Sequence, residues 1–195
     1  MEKIVNLNIL STQIKKDKRD GYKILHCHGV FDLLHIGHIK YFQEAKSMGD
    51  ILVVTVTPDR FVNKGPNRPA FNENYRVEAI AALDVVDYVA INEWPTAIET
   101  IKALQPNLYV KGPDYKNLSG DITGNIKLEK EAIESVGGKI SFTSTEVFSS
   151  SNLINNYLSE NDDIKAFITN LKNDYSYQDI YGFVDKLKDL NVLLI

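Results

Sequence analysis

The sequence has little cysteine, no long apolar run and no excess of basic residues. Cys27 is the only cysteine among 195 residues, which excludes an internal disulfide framework and suits a reducing cytoplasm. No apolar run approaches the roughly 18 residues that a membrane-spanning helix needs, and residues 1–20 lack the charged-then-apolar order of a signal peptide. The formal net charge of −4 argues against sequence-independent binding of nucleic acid. We therefore expect a cytoplasmic protein that binds neither membranes nor nucleic acid and holds any anionic ligand through a local cluster of donors.

Repeats and low-complexity segments are also missing, and what is present is an alternation of two patterns. Short apolar runs, typical of buried strands, alternate with segments of helical periodicity. The predicted strands are residues 22–27, 51–56, 85–91, 108–110 and 139–143. The predicted helices are residues 3–18, 37–48, 74–83, 96–104, 126–136 and 150–158, and a polar loop spans residues 57–72. This order predicts an α/β fold with a doubly wound, Rossmann-like parallel sheet and helices on both faces.

The pattern changes towards the C-terminus, where residues 161–190 carry two short helical stripes. We expect a first domain over residues 1–158 and a helical appendage or linker over residues 159–195. The apolar residues 192–195 resemble the start of a strand, and we expect them to open an absent second domain. The alternative is that they pair with the sheet edge of this domain or of a dimer partner.

The strongest chemical signal is His35-Ile36-Gly37-His38, placed between a predicted strand and a predicted helix. Histidines three residues apart at a helix entry share one face, and a helix N-terminus favours bound phosphate. Gly37 lets a ligand approach the backbone. Imidazoles can donate hydrogen bonds to phosphate oxygens as charge develops. His28 and Gly29, at the preceding strand end, would form the other wall.

Two further segments follow predicted strand ends, residues 111–115 and residues 145–152. Ligands of doubly wound folds bind at the carboxyl ends of the strands. The three segments should therefore converge on one crevice, and this convergence supports the site more strongly than any single motif.

Residues 29–38, Gly-Val-Phe-Asp-Leu-Leu-His-Ile-Gly-His, resemble the Gly-x-Phe-Asp-x-x-His-x-Gly-His signature of the cytidylyltransferase-like nucleotidyltransferases. The resemblance extends over about residues 3–158. Within this family, the sequence is similar both to heptose 1-phosphate adenylyltransferase domains of ADP-heptose synthases and to glycerol-3-phosphate cytidylyltransferases. The segments at residues 64–69, 110–115 and 150–154 look more like the heptose enzymes.

The resemblance implies a role for each matching position. His35, His38 and Lys64 would be catalytic: the histidines would stabilise the pentacovalent α-phosphorus, and Lys64 would close over the phosphates. The remaining matching positions would bind the nucleotide: His28, Gly29, Phe31, Asp32, Gly37, Arg76, Lys111, Gly112, Asp114, Tyr115, Ser149, Ser150 and Ser151. Within this set Arg76 would support the phosphates, Lys111 to Tyr115 would line the base and ribose pocket, and the three serines would hold the β- and γ-phosphates.

Several of these residues also have plainer interpretations. Lys64 and Arg76 could be solvated surface charges, the three serines could be helix caps, and Asp114-Tyr115 could be a simple turn. Phe31 also fits the core.

The resemblance implies direct attack by a substrate phosphate on the α-phosphorus of ATP or CTP, with Mg²⁺ bound through the triphosphate and pyrophosphate leaving. The choice between ATP and CTP is open; the acceptor is a heptose 1-phosphate-like sugar phosphate or, second, a polyol phosphate such as glycerol 3-phosphate. We also expect a homodimer and a fused sugar kinase domain in the full-length protein. Two rivals are a class I aminoacyl-tRNA synthetase, which would be much longer, and an inactive nucleotide-binding regulatory module.

Overall fold

The computed structural model describes residues 3–64, 68–115 and 125–144, together with positions 169, 170, 173–176 and 179. The chain divides into two compact units, Met1–Ser150 and Ser151–Ile195. The predicted domain end at residue 158, the predicted helix over residues 150–158 and the apolar residues 192–195 lie outside the described residues.

A five-stranded parallel sheet of order β3-β2-β1-β4-β5 forms the first unit. Its strands are β1 (Ile24–Gly29), β2 (Ile51–Val56), β3 (Tyr88–Ile91), β4 (Leu108–Lys111) and β5 (Lys139–Phe142). The helices are α1 (Leu7–Arg19), α2 (Ile36–Lys46), α3 (Glu73–Ala81), α4 (Ile98–Leu104) and α5 (Asn125–Ser135), and short 3₁₀ turns occupy Asp59–Phe61 and Pro113–Tyr115. The predicted doubly wound α/β class is confirmed.

Alternate residues of each strand bury opposite faces of the sheet, as the two-residue period of a strand requires. On one face Leu25 and Val54 pack with α2 and α3 through Phe42 and Ile80. On the other face α1, α4 and α5 cover the sheet. Because both faces are covered, the strands read as near-continuous apolar runs, which made them recognisable in the sequence.

The helices begin where side chains satisfy their first unpaired N–H groups. Asn6 caps α1 by accepting a hydrogen bond from the Ile9 N–H, and Asn72 caps α3 by accepting one from the Tyr75 N–H. None of the helices in the described ranges is long and apolar enough to cross a membrane.

The helix α1 and the strand β3 begin later than predicted, and residues next to their starts form hydrogen bonds with residues distant in sequence. Residues 3–5 were predicted to be helical, yet Val5 donates to the Val89 carbonyl and Val89 to the Lys3 carbonyl, so this segment pairs with β3. The strand predicted from residue 85 begins at Tyr88. Just before it, the Asp87 carboxylate accepts from the Leu52 N–H and the Lys46 ammonium.

In the second unit the described positions include a reciprocal pair of hydrogen bonds between Ser176 and Asp179. The Ser176 N–H donates to the Asp179 carboxylate, and the Asp179 N–H donates to the Ser176 hydroxyl. The hydrogen bond from Ser176 lowers the pKa of Asp179. This is the pattern of a capping box, which starts a helix.

Candidate active site

The carboxyl ends of β1, β2 and β4 form the edge at which the candidate residues gather. The strand order reverses direction between β1 and β4, and ligands of open α/β sheets bind in the crevice at such a switch point. His28 and Gly29 end β1, Thr57 follows β2, and Lys111 ends β4. Two of the three segments predicted to converge, residues 28–38 and 111–115, thus begin at the ends of the adjacent strands β1 and β4.

The histidine pair occupies the start of α2. His35 is the N-cap, and its Nδ1 accepts from the Gly37 N–H at 3.1 Å. The rings of His35 and His38 stack, with centroids 4.0 Å apart and planes inclined by 30°. Two imidazoles are therefore stacked at the positive end of a helix dipole, where anions are stabilised. Gly37 is buried within the first turn between them.

Burial sets the charge of His38. The rings of Phe31 and His38 pack edge to face, with centroids 5.4 Å apart. Burial first, then the charges of His35 and Lys64, lower the pKa of His38 to about 4, against a weaker opposing effect of the Leu33 backbone. Burial also lowers the pKa of His35. At neutral pH His38 is thus an uncharged imidazole, which can donate one hydrogen bond, and its Nδ1 has no hydrogen-bond partner among the described residues.

The turn between β1 and α2 holds Phe31 in a left-handed backbone conformation, with φ of 49°. Such a conformation is strained for a bulky residue and costs about 1–3 kcal/mol. The Phe31 ring is buried and folds back over Gly29, where an added Cβ would come within 3.0 Å of it. This close approach favours glycine at position 29.

Asp32 attaches this turn to the end of the polar loop. Its buried carboxylate accepts from Arg68 Nε at 2.5 Å and from the Ala70 N–H at 2.6 Å. The loop residue Lys64 is close enough for its charge to lower the pKa of His38. Partial burial and Arg68 lower the pKa of Lys64 itself, with Asp32 opposing. The position of Lys64 is thus consistent with the predicted catalytic role. Asp32 instead connects the turn to the loop through hydrogen bonds within the protein.

Arg76 is neither a surface charge nor directed to solvent. Its side chain is 1% exposed, and its guanidinium donates to the carbonyls of Phe71, Val30 and Thr57 and to the Asp59 carboxylate. These bonds tie together the end of the loop, the β1–α2 turn and the end of β2. The structure therefore gives Arg76 an organising role, and direct support of phosphates by its side chain stays a prediction.

The residues after β4 form a second group. Lys111 is buried, pairs with Glu129 at 3.2 Å and lies 4.5 Å from the centroid of the Tyr115 ring. A side chain at Gly112 would displace the Asp114 carboxylate. The group presents an aromatic ring backed by a cation, which is a suitable surface for a nucleobase. Ser149, Ser150 and Ser151 lie outside the described residues.

A buried chain of hydrogen bonds beneath this edge was missed by the sequence reasoning. Thr55 Oγ1 lies 2.8 Å from His26 Nε2 and 2.9 Å from His28 Nδ1, and Thr57 Oγ1 lies 3.2 Å from His28 Nε2. Burial, then Lys111, lowers the pKa of His28 well below its ordinary value. The available signal was the spacing: His26 and His28 share one face of β1, and Thr55 in β2 and Thr57 just after it are likewise two residues apart.

The arrangement favours binding and polarising phosphate over covalent catalysis. Cys27 is fully buried, and burial raises the pKa of its thiol to about 12, so it is a poor nucleophile. Neutral imidazoles, a lysine and backbone N–H groups are the groups that stabilise charge on a transferring phosphoryl group.

Comparison with known proteins gives a consistent result. The model of the cytidylyltransferase-like family matches residues 26–175. The Bifunctional protein HldE of Geotalea uraniireducens is 41% identical over 140 residues, which are 71% of this chain and 27% of that protein. The HldE of Aliarcobacter butzleri is 44% identical over 115 residues, 56% of this chain and 24% of the relative. The chain thus spans about a quarter of the length of these curated relatives.

Two solved structures are also similar. The lipopolysaccharide core biosynthesis protein from Thermoplasma volcanium superposes with a TM-score of 0.54 at 30% identity, over 65% of this chain and 100% of that one. A pantoate-beta-alanine ligase from Francisella tularensis, complexed with beta-gamma ATP and beta-alanine, gives a TM-score of 0.54 at 18% identity over 77% of this chain and 70% of that one. The second likeness concerns the fold alone.

Proposed function

Because this chain belongs to the cytidylyltransferase-like family, we propose that it is a nucleotidyltransferase that moves AMP or CMP from ATP or CTP to a sugar phosphate, releasing pyrophosphate. The observation that carries the proposal is the stacked pair His35 and His38 at the start of α2. The preferred acceptor is a heptose 1-phosphate-like sugar phosphate, and glycerol 3-phosphate is the alternative.

The reaction needs no nucleophile from the protein. An oxygen of the acceptor phosphate attacks the α-phosphorus, a new P–O–P bond forms, and the bond to the β-phosphate oxygen breaks so that pyrophosphate leaves with its electron pair. His35, His38 and Lys64 would bind the phosphates and stabilise the charge that builds on them, while the crevice aligns the two substrates. The neutral state of His38 suits it to hydrogen-bond donation.

The sugar phosphate proposal draws support from the relatives. The curated relatives are Bifunctional protein HldE, and one similar solved structure is a lipopolysaccharide core biosynthesis protein. Since the chain spans about a quarter of the HldE proteins, any second activity, including a fused sugar kinase, belongs to the proposal. So do the homodimer, the cytoplasmic location and the absence of nucleic-acid and membrane partners.

Mg²⁺ is proposed as the metal that accompanies the triphosphate. In the described parts of the chain no three His, Cys, Asp or Glu side chains are grouped to hold a metal ion, so phosphate oxygens would be its ligands. When bound, it would neutralise phosphate charge. His35 and Lys64 would orient the same phosphates.

A pyrophosphate-release screen tests the proposal. Four nucleoside triphosphates are mixed with heptose 1-phosphate and with glycerol 3-phosphate in the presence of Mg²⁺. We expect release that requires both substrates, and a loss of about 10²–10³-fold in turnover for His35→Ala or His38→Ala. Gln43→Ala, on the exposed face of the same helix, should retain wild-type turnover.

Two outcomes contradict the proposal. Nucleotide binding without pyrophosphate release under every combination would favour the inactive regulatory module. Wild-type turnover in both histidine variants would show that the pair does not carry the reaction.

A further inference from the structure

The buried chain formed by His26, Thr55, His28 and Thr57 has a defined direction. His26 Nδ1 is buried without a hydrogen-bond partner among the described residues. A buried N–H without an acceptor is rarer than a buried acceptor without a donor, and the nearby Lys111 charge would repel an N–H. The proton of His26 therefore belongs on Nε2, which donates to Thr55 Oγ1.

The remaining protons follow from this assignment. The Thr55 hydroxyl, having accepted from His26, donates its own hydrogen to His28 Nδ1. We assign the proton of His28 to Nε2, so that this N–H donates to Thr57 Oγ1. His28 is the partner of the Thr57 hydroxyl within the described ranges. The hydroxyl hydrogen of Thr57 is thus left to bond a ligand oxygen.

Thr57 lies on the opposite side of the crevice from the surface that is suited to the nucleobase. It follows β2, on the far side of β1 from β4 in the sheet order. The Tyr115 ring, the aromatic surface suited to a base, lies beyond β4, and the phosphate-binding histidines lie between the two, after β1. Thr57 is 7% exposed.

We propose that Thr57 is an acceptor-binding residue, whose hydroxyl donates a hydrogen bond to an oxygen of the phosphorylated acceptor, and that His28 is a positioning residue that keeps this hydroxyl in its donor orientation. The inference rests on the proposed function, because that function supplies the second substrate. The proposed contact would contribute to acceptor specificity on the β2 side of the crevice, and it is separate from the phosphate-binding histidines.

The test separates acceptor binding from nucleotide binding through the pyrophosphate-release kinetics. Thr57→Val removes the hydroxyl at nearly constant volume and should raise the KM of the acceptor about tenfold, the scale of one hydrogen bond of about 1.4 kcal/mol. The KM of the nucleotide should stay within about twofold. Thr57→Ser should restore the acceptor KM. Thr143→Val, a buried threonine after β5 whose hydroxyl bonds the Lys111 carbonyl, is the matched control and should leave the acceptor KM unchanged.

Two variants of His28 test the direction of the chain. The amide nitrogen of His28→Gln can occupy the place of Nε2 and donate to Thr57, whereas His28→Asn reaches only the place of Nδ1. We expect His28→Gln to keep an acceptor KM near that of the wild type and His28→Asn to raise it as Thr57→Val does. Melting temperatures of both variants separate this contrast from a loss of folding.

The outcomes distinguish this inference from the proposed function. An active wild type whose Thr57→Val variant keeps its acceptor KM, or loses nucleotide and acceptor affinity equally, overturns the inference alone. A His28→Asn variant that outperforms His28→Gln overturns the positioning role. A wild-type chain without turnover on any substrate pair overturns the proposed function and this inference with it.

Discussion

Arg76 gives the sharpest test of whether a site residue binds ligand or builds the site. The Arg76→Met substitution keeps an unbranched side chain but removes the guanidinium that donates to three carbonyls and to Asp59. The Arg76 side chain is 1% exposed whereas that of Asp59 is 36% exposed, so water can solvate Asp59 in the variant. Of the three carbonyl bonds, the one to Thr57 is buried. Each buried acceptor left without a donor costs about 1–3 kcal/mol.

The expected loss of stability follows from these contacts. Disrupting a buried charged group of this kind costs about 3–5 kcal/mol, and partial rehydration of Asp59 favours the lower part of that range. For a chain of this size each kcal/mol shifts the melting temperature by about 2–4 °C. Arg76→Met should therefore lower the melting temperature by about 6–16 °C.

Thermal unfolding followed by circular dichroism, with and without nucleotide, measures this change. Arg60→Met is the control, because Arg60 is exposed and donates to one carbonyl, that of Glu93; its melting temperature should stay within about 2 °C of the wild type. A folded Arg76→Met chain with an unchanged melting temperature and a lost affinity for ATP or CTP would refute the organising role and identify Arg76 as a phosphate ligand.

Two further predictions concern Lys64 and the buried histidines. Lys64→Ala should lower turnover more than nucleotide affinity, because the lysine charge reaches His38 and would act on the reacting phosphate. Calorimetry that shows lost nucleotide affinity with full turnover at saturation would contradict this. Lys102→Ala, at an exposed lysine, is the control. Stability should fall as the pH drops from about 6.5 towards 4, since burial lowers the pKa of His26 to about 3 and of His38 to about 4 while an unfolded histidine takes up a proton near 6.5. Melting temperatures that stay constant between pH 7 and pH 5 would show that these imidazoles are not held neutral by the fold.

The sequence predicted the sheet well where burial alone determines the pattern. The predicted bounds of β2, Ile51–Val56, agree with the structure, because β2 is an interior strand covered on both faces and reads as one apolar run. The ends of α1 and β3 were less accurate. Residues 3–5 pair with Val89 across more than 80 positions of sequence, and no local pattern carries that information.

The same limit separates the well-predicted part of the site from the rest. His35 and His38 lie within one local strand–turn–helix unit, so their positions followed from short-range rules. Arg76 connects Val30 with residues beyond β2, and a sequence pattern does not reveal that a guanidinium lies buried among carbonyls. The hydrogen-bond chain through His28 was hidden for the same reason, since it depends on the register of β1 against β2.

The polar residues of the crevice fall into two groups that act in different ways. Asp32, Arg76 and His28 are buried and bonded to other parts of the protein, so they hold the loop and the strand ends in one arrangement before a ligand arrives. His38 keeps an Nδ1 without a hydrogen-bond partner among the described residues, and Lys64 carries its charge next to His38. Groups fixed before the reaction stabilise developing charge without the cost of reorganising solvent. Substitutions that remove the hydrogen bonds of the first group should therefore reduce stability and activity together, whereas substitutions in the second should reduce activity while the fold stays intact.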